Sequence, residues 1–215
     1  MLATPLARLV CRLSPTNFTA SAADWDARYL ASQSVWSAEP NQFVAEDLKN
    51  LTAGTMVDVA GGEGRNALWF ASRGWQVTNV EFSAVALKKF QERAENAGLQ
   101  VSSILSDAQT AQFGVDPDLI LFAYLQLPWD QLLRSLDNAL AQQTKGVLYG
   151  VWHAKENLTE GYGGPQNPAV LPSESELKVW LYSHGLKGEV RNRTREVQTE
   201  QGVRKAIDVT LLVRR

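Results

Sequence analysis

The chain has 215 residues, 45% hydrophobic and 20% charged, with a formal net charge of −2 at pH 7. This is ordinary composition for one globular domain and excludes wholesale disorder. The slightly acidic balance does not draw the whole molecule to nucleic acid, and the longest apolar run, residues 119–125, is far too short to cross a bilayer. A single cysteine, Cys11, and two histidines, His153 and His184, exclude an intramolecular disulfide and argue against a Cys/His zinc site or any other metal centre.

Residues 1–21 read as an N-terminal extension. The segment holds Arg8 and Arg12 but no acid, with Leu2, Leu6, Leu9, Val10 and Leu13 at helical spacing. A helix lying on the domain and an organelle transit peptide both fit, and the cytoplasm is the expected location. Residues 22–52 are expected to form a helical cap. Its first helix, 22–32, carries Trp25, Tyr29 and Leu30 on one side; its second opens at Asn41 with Phe43, Val44, Leu48 and Leu51 as the apolar stripe.

From residue 53 to 215 the pattern is βα alternation. Strands are expected at 56–60, 76–82, 101–105, 119–123 and 146–152, with helices at 64–73, 83–96 (capped by Ser83) and 129–141. After a Gly/Pro/Asn-rich loop over 157–172, Ser173 and Glu176 form a capping box, and segments 189–197 and 203–213 read as an antiparallel hairpin. The fold class is α/β: a Rossmann-like, doubly wound sheet of about seven mostly parallel strands, helices on both faces and an antiparallel finish.

The chemistry begins at Val57-Asp58-Val59-Ala60-Gly61-Gly62-Glu63-Gly64-Arg65-Asn66-Ala67, where a strand enters a glycine-rich turn that becomes a helix. Gly62-x-Gly64-x-x-Ala67 formally fits a dinucleotide fingerprint, with Glu81 nineteen residues beyond Gly62. Asp58 discriminates, since a carboxylate at the mouth of the turn repels a pyrophosphate but suits the ammonium and sulfonium of S-adenosylmethionine. An NAD-type oxidoreductase is the alternative, and a non-catalytic S-adenosylmethionine-binding protein is a third reading.

The spacing Asp58…Gly62-Glu63-Gly64, an acid ending the second strand and Asp107 after the third resembles class I S-adenosylmethionine-dependent methyltransferases over roughly residues 22–213. Trp25-Asp26-x-Arg28-Tyr29, Val35-Trp36, Glu39-Pro40-Asn41, Gly64-Arg65-Asn66 and Asn157-Leu158-Thr159-Glu160-Gly161 resemble more narrowly a small bacterial branch of tellurite-resistance and thiopurine methyltransferase-type proteins. That branch often has Cys where this chain has Gly61. The resemblance implies Glu81 on the ribose hydroxyls and Asp107 on the adenine amino group, with the Ala108 N–H on the ring. It also implies Phe82 along the adenosine, and a lid of Trp25, Tyr29 and Trp36. Arg65 and Asn66 would face the methionine end, with Arg65 on its carboxylate or bridging to Glu63 or another acid. A helix-dipole role for Glu81, an Asx turn at Asp107 and core packing of the aromatics are the structural alternatives.

Ala123 ends the fourth strand, so Tyr124 and Gln126 fall at the sheet edge where ligands bind in open α/β folds. His153 follows the fifth strand at the same edge, as a base or orienting group for an acceptor or as a structural residue. His184, before Gly185, suits a helix C-terminus. Arg191, Arg193 and Arg195 share one strand face; protection of an edge strand accounts for them more simply than RNA binding. The loop at 161–168 is expected over the substrate pocket. The reading is a monomeric or homodimeric enzyme that methylates a small S, Se/Te, N or O nucleophile by in-line displacement in a closed pocket.

Overall fold

The computed structural model describes residues 20–215; the expected N-terminal helix and Cys11 lie outside them. One seven-stranded sheet has the order β3-β2-β1-β4-β5-β7-β6. Its strands are β1 (Thr55–Val59), β2 (Gln76–Glu81), β3 (Val101–Leu105), β4 (Leu119–Ala123), β5 (Val147–His153), β6 (Gly188–Thr199) and β7 (Gly202–Arg214). The first five pair in parallel, whereas β7 runs antiparallel to β5 and to β6, and β3 and β6 are the two edge strands. No described helix is long and apolar enough to cross a membrane.

Parallel strands covered on both faces read as unbroken apolar runs, and the period of two divides them between two cores. Val57, Val59, Ile120, Phe122, Leu148, Trp152 and Val209 face α5 (Trp129–Ala141) and α7 (Glu174–Ser183). Met56, Val77, Leu119, Leu121, Tyr149 and Val151 face α2 (Gln42–Leu48), α3 (Arg65–Ala71) and α4 (Ala84–Asn96). Asp58, Asn79, Glu81, His153 and Asp208 share parity with the second set, so every strand-borne polar group of interest projects toward the α2–α4 side.

Local signals set the helix starts. Asn41 caps α2 by accepting from Phe43 and Val44 N–H, Ser83 caps α4, and Ser173 with Glu176 completes the expected box on α7. Helix α1 (Ala22–Leu30) packs on α4 and buries Tyr29, but Leu30 is 72% exposed and does not join that side. The expected loop at 157–172 contains two short helices, α6 (Asn157–Glu160) and a 3₁₀ turn at Pro168–Val170. Asn157 closes α6 back on the sheet: it accepts from Ile207 N–H and donates to Gly163 C=O.

Gly150 sits under the fully buried Trp152 ring, where a Cβ would lie 1.9 Å from a ring carbon. Gly150→Ala is therefore expected to overpack the α5–α7 core and cost about 1–3 kcal/mol. A lower urea midpoint at unchanged slope would show this; an unchanged midpoint would mean the ring repacks freely.

Candidate active site

The carboxyl end of β1 opens into the glycine turn. Ala60 leaves the strand at φ 56, followed by Gly62 at φ 58 and Gly64 at φ 76. Asp58 lies beneath this turn, fully buried, and neither of its oxygens makes a hydrogen bond among the described residues. Burial pushes its carboxyl up to about 7, against weaker opposing pulls from the Ala67 N–H, which points toward it without reaching hydrogen-bond geometry, and from the Arg65 guanidinium. Asn79, its cross-strand neighbour on β2, donates to Gly62 C=O while its own Oδ1 is also unpartnered.

A Cβ on Gly61 would lie 2.4 Å from Asn79 Oδ1 and 2.8 Å from Asp58 Oδ2. The glycine at this position therefore supplies room for two buried oxygens. Gly64 answers a different need, since a Cβ there would strike the Phe90 ring of α4.

Glu81 ends β2, and its two oxygens accept from Gly62 N–H at 3.0 Å and Ser83 N–H at 2.9 Å. Burial raises its pKa, those N–H groups opposing. Each carboxylate oxygen keeps a second lone pair for a ligand hydroxyl. Phe82 is half-buried beside it, and Ser83 is buried, its hydroxyl donating to Asp26 of α1. Asp107 is exposed two residues past β3 and closes an Asx turn onto Gln109 N–H, with Ala108 buried behind it.

The aromatics of the N-terminal segment do meet. Trp25 lies 5.6 Å from Tyr29 and 6.4 Å from Trp36, ring centre to ring centre. Trp36 donates to the Tyr29 hydroxyl, which lies 2.6 Å from where a Gly62 Cβ would be. Glu63 does not bridge to Arg65. It is buried, pairs with Lys89 and Arg93 of α4, and accepts from the Val35 and Trp36 N–H groups, so it anchors this segment instead.

Arg65 has no carboxylate within ion-pair distance among the described residues. It reaches Ser37 Oγ at 3.2 Å and lies 5.8 Å from the Tyr124 ring centre and 6.0 Å from that of Trp36. Burial draws its pKa down, although the guanidinium stays protonated. Asn66 is buried rather than presented to the crevice: it accepts from Asn41 N–H and fastens the start of α2.

Across the crevice β4 ends in Ala123, and Tyr124 turns out at φ 62. Its ring stacks on His153 at 4.7 Å, and its hydroxyl accepts from Asn41 Nδ2 and donates to Asp208 Oδ2 at 2.6 Å. Both bonding directions of the Tyr124 hydroxyl are thus engaged inside the protein, and its ring face lies against His153. Gln126 is engaged likewise, with His153 N–H and Val170 C=O. His153 Nδ1 lies 3.0 Å from Asp208 Oδ1, while Nε2 has no partner among the described residues and is not enclosed by them. Gly164, in the loop expected over the pocket, packs against the same imidazole.

Sequence reasoning did not find Asp208 or the role of Arg195, which donates from Nε to Asp208 Oδ2 at 2.7 Å. Burial opposes ionisation of Asp208, but His153, Arg195 and Tyr124 together hold its carboxyl below the usual range. Arg193 bridges to Glu46 and Asp47 of α2 and covers Phe43. The strand arginines 193 and 195 thus serve internal contacts, whereas Arg191 pairs with Glu189 at the surface. His184 ends α7 as expected. No described cluster of His, Cys, Asp and Glu is suited to a metal.

Residues 56–143 match the family model for a methyltransferase domain. No curated protein sequence matches the chain. Among solved structures, it is similar to TehB from Haemophilus influenzae, at 19% identity and TM-score 0.67 over 90% of this chain and 67% of that one. A SAM-dependent methyltransferase from Methanosarcina mazei aligns at 15% identity and TM-score 0.63, over 82% of this chain and 98% of that one. The magnesium protoporphyrin IX methyltransferase of Synechocystis PCC 6803, solved with bound SAM, gives 16% and 0.57 over 90% and 79%. These likenesses establish the class I methyltransferase fold.

Because Asp58 holds its proton more tightly folded than unfolded, native stability should fall as pH rises from about 4 toward 7 and be level above. Asp58→Asn removes that contribution. Urea unfolding at about pH 4.5 and 7.5 should show wild type losing about 2–4 kcal/mol relative to the variant. An equal gap at both pH values would mean that Asp58 titrates normally.

Proposed function

The chain carries a methyltransferase domain on the S-adenosylmethionine-dependent fold, and from that premise we propose that it transfers the methyl group to a small-molecule nucleophile in a closed cytoplasmic site. One observation carries the cofactor side of the reading: among the described residues, a buried carboxylate without a hydrogen bond, Asp58, lies near a guanidinium without a carboxylate, Arg65. An amino-acid zwitterion answers both, its ammonium toward Asp58 and its carboxylate toward Arg65. Glu81 takes the ribose hydroxyls, Asp107 and Ala108 the adenine, and Trp25, Tyr29 and Trp36 cover the glycine turn. Nothing about this acidic cradle favours a pyrophosphate.

When bound, S-adenosylmethionine supplies an electrophilic methyl carbon on a sulfonium. The protein's contribution is to hold the acceptor in line, keep water out and remove a proton where the acceptor carries one. His153 is the base in this reading, with its free Nε2 directed to the acceptor and Tyr124 stacked on the ring. A small acceptor is favoured over RNA, because Arg193 and Arg195 are held by carboxylates of the protein itself.

Calorimetry with S-adenosylhomocysteine tests the cofactor assignment. Micromolar binding is expected, weakened by about 1.5–3 kcal/mol in Glu81→Ala through loss of charge-assisted bonds. Binding of NAD without S-adenosylhomocysteine would overturn it. In a methyl-acceptor screen over thiols, phenols and heteroarenes, His153→Ala should lower turnover by about 10²–10⁴-fold at unchanged cofactor affinity. Unchanged turnover would remove His153 from the chemistry.

A further inference from the structure

Asp208 lies directly opposite His153 in the antiparallel pairing of β7 with β5, and its side chain is fully buried. A one-residue slip of that pairing would turn it to the other face of the sheet. Arg195 reaches it from β6 as a diagonal neighbour, since Arg193 is its direct partner. Three donors from three strands or strand ends therefore converge on this one carboxylate: the imidazole on Oδ1, the Tyr124 hydroxyl and the Arg195 Nε–H on Oδ2.

An ionised carboxylate only accepts hydrogen bonds. At 3.0 Å from Oδ1, Nδ1 of a neutral His153 must carry the ring proton, which leaves the lone pair on Nε2. We propose that Asp208 is a positioning residue that locks His153 in the Nδ1–H tautomer, so that the site takes acceptors arriving protonated: thiols, phenols or N–H heteroarenes. The inference rests on the reading of His153 as base. In the step, the acceptor's proton passes to Nε2 and its lone pair forms the bond to the methyl carbon. The electron pair of the broken carbon–sulfur bond stays on sulfur, and the imidazolium is balanced by Asp208.

Asp208→Asn is diagnostic because its amide can be oriented in only one satisfactory way. Tyr124 and Arg195 both donate, so they select the amide oxygen and leave the NH₂ facing Nδ1. Nδ1 must then accept, and the proton moves to Nε2, where it blocks base catalysis.

The chain has only two histidines, so ¹⁵N-histidine spectra at about pH 8.5 resolve the tautomer, with His184→Gln assigning the signals. Wild type should show Nδ1–H at His153 and Asp208→Asn should show Nε2–H, with S-adenosylhomocysteine affinity unchanged. Methyl transfer to 2-mercaptoethanol, largely protonated at neutral pH, should drop about 10²–10⁴-fold in Asp208→Asn, with far less loss for thiophenol, which is already ionised. An Nε2–H signal in wild type would overturn the proposal without any variant. So would an unchanged tautomer in Asp208→Asn, or equal losses for the two thiols. A tautomer switch beside a fully active His153→Ala enzyme would confirm the lock and refute the base, which separates the two failures.

Discussion

The sheet reverses its winding at β1. From that strand the chain runs outward to β2 and β3, then returns to β4 on the opposite side, which opens a crevice at the carboxyl ends of β1 and β4. Both strands leave the sheet there through a non-glycine residue in the left-handed region, Ala60 and Tyr124, the two such residues among those described. Each costs on the order of 1–3 kcal/mol, which the surrounding packing must hold. The first bend starts the turn that roofs Asp58. The second swings a phenol ring between Arg65 and His153, joining the two halves of the site.

Four buried carboxylates line or support this crevice, and they differ in what satisfies them. Glu63 has two cations and two backbone N–H groups, Glu81 has two N–H groups, and Asp208 has three side-chain donors. Asp58 has none. A buried charge without partners is strongly disfavoured, and proteins meet that cost by keeping the group protonated or by supplying a cation. The first three carboxylates build the frame, and Asp58 is the acceptor the frame leaves open.

Element order and most boundaries were legible because buried parallel strands, glycine stops and caps are local signals: β3, β4 and α5 fall at the expected residues. The glycine turn, Glu81, Tyr124 and His153 were legible because they stand at strand ends. Asp208 was harder to find because its partner is 55 residues away and depends on antiparallel register. A signal was present, however: an acid between Ile207 and Val209 in a run that is otherwise apolar apart from Thr210. Arg195 was read as edge protection since alternation gives the face of a residue and not its neighbours across the sheet. The bond from Asn41 N–H to Asn66 was hidden for a similar reason: it joins two helix starts 25 residues apart.

The attachment of residues 20–40 differs in kind from that of the sheet. No backbone–backbone hydrogen bond joins this described segment to the rest of the protein. Side chains hold it: Asp26 on Ser83 and Val85 N–H, Lys89 on the carbonyls of Tyr29 and Ser32, Glu63 on two backbone N–H groups, and Arg65 on Ser37. Detaching it breaks no strand ladder and no helix, the pattern expected of a unit that opens below the free energy of global unfolding. Three of its four fasteners, Ser83, Glu63 and Arg65, adjoin the glycine turn or the end of β2. Tightening of the crevice is therefore expected to slow hydrogen exchange in α1 as well, through the Asp26–Ser83 contact at the end of β2.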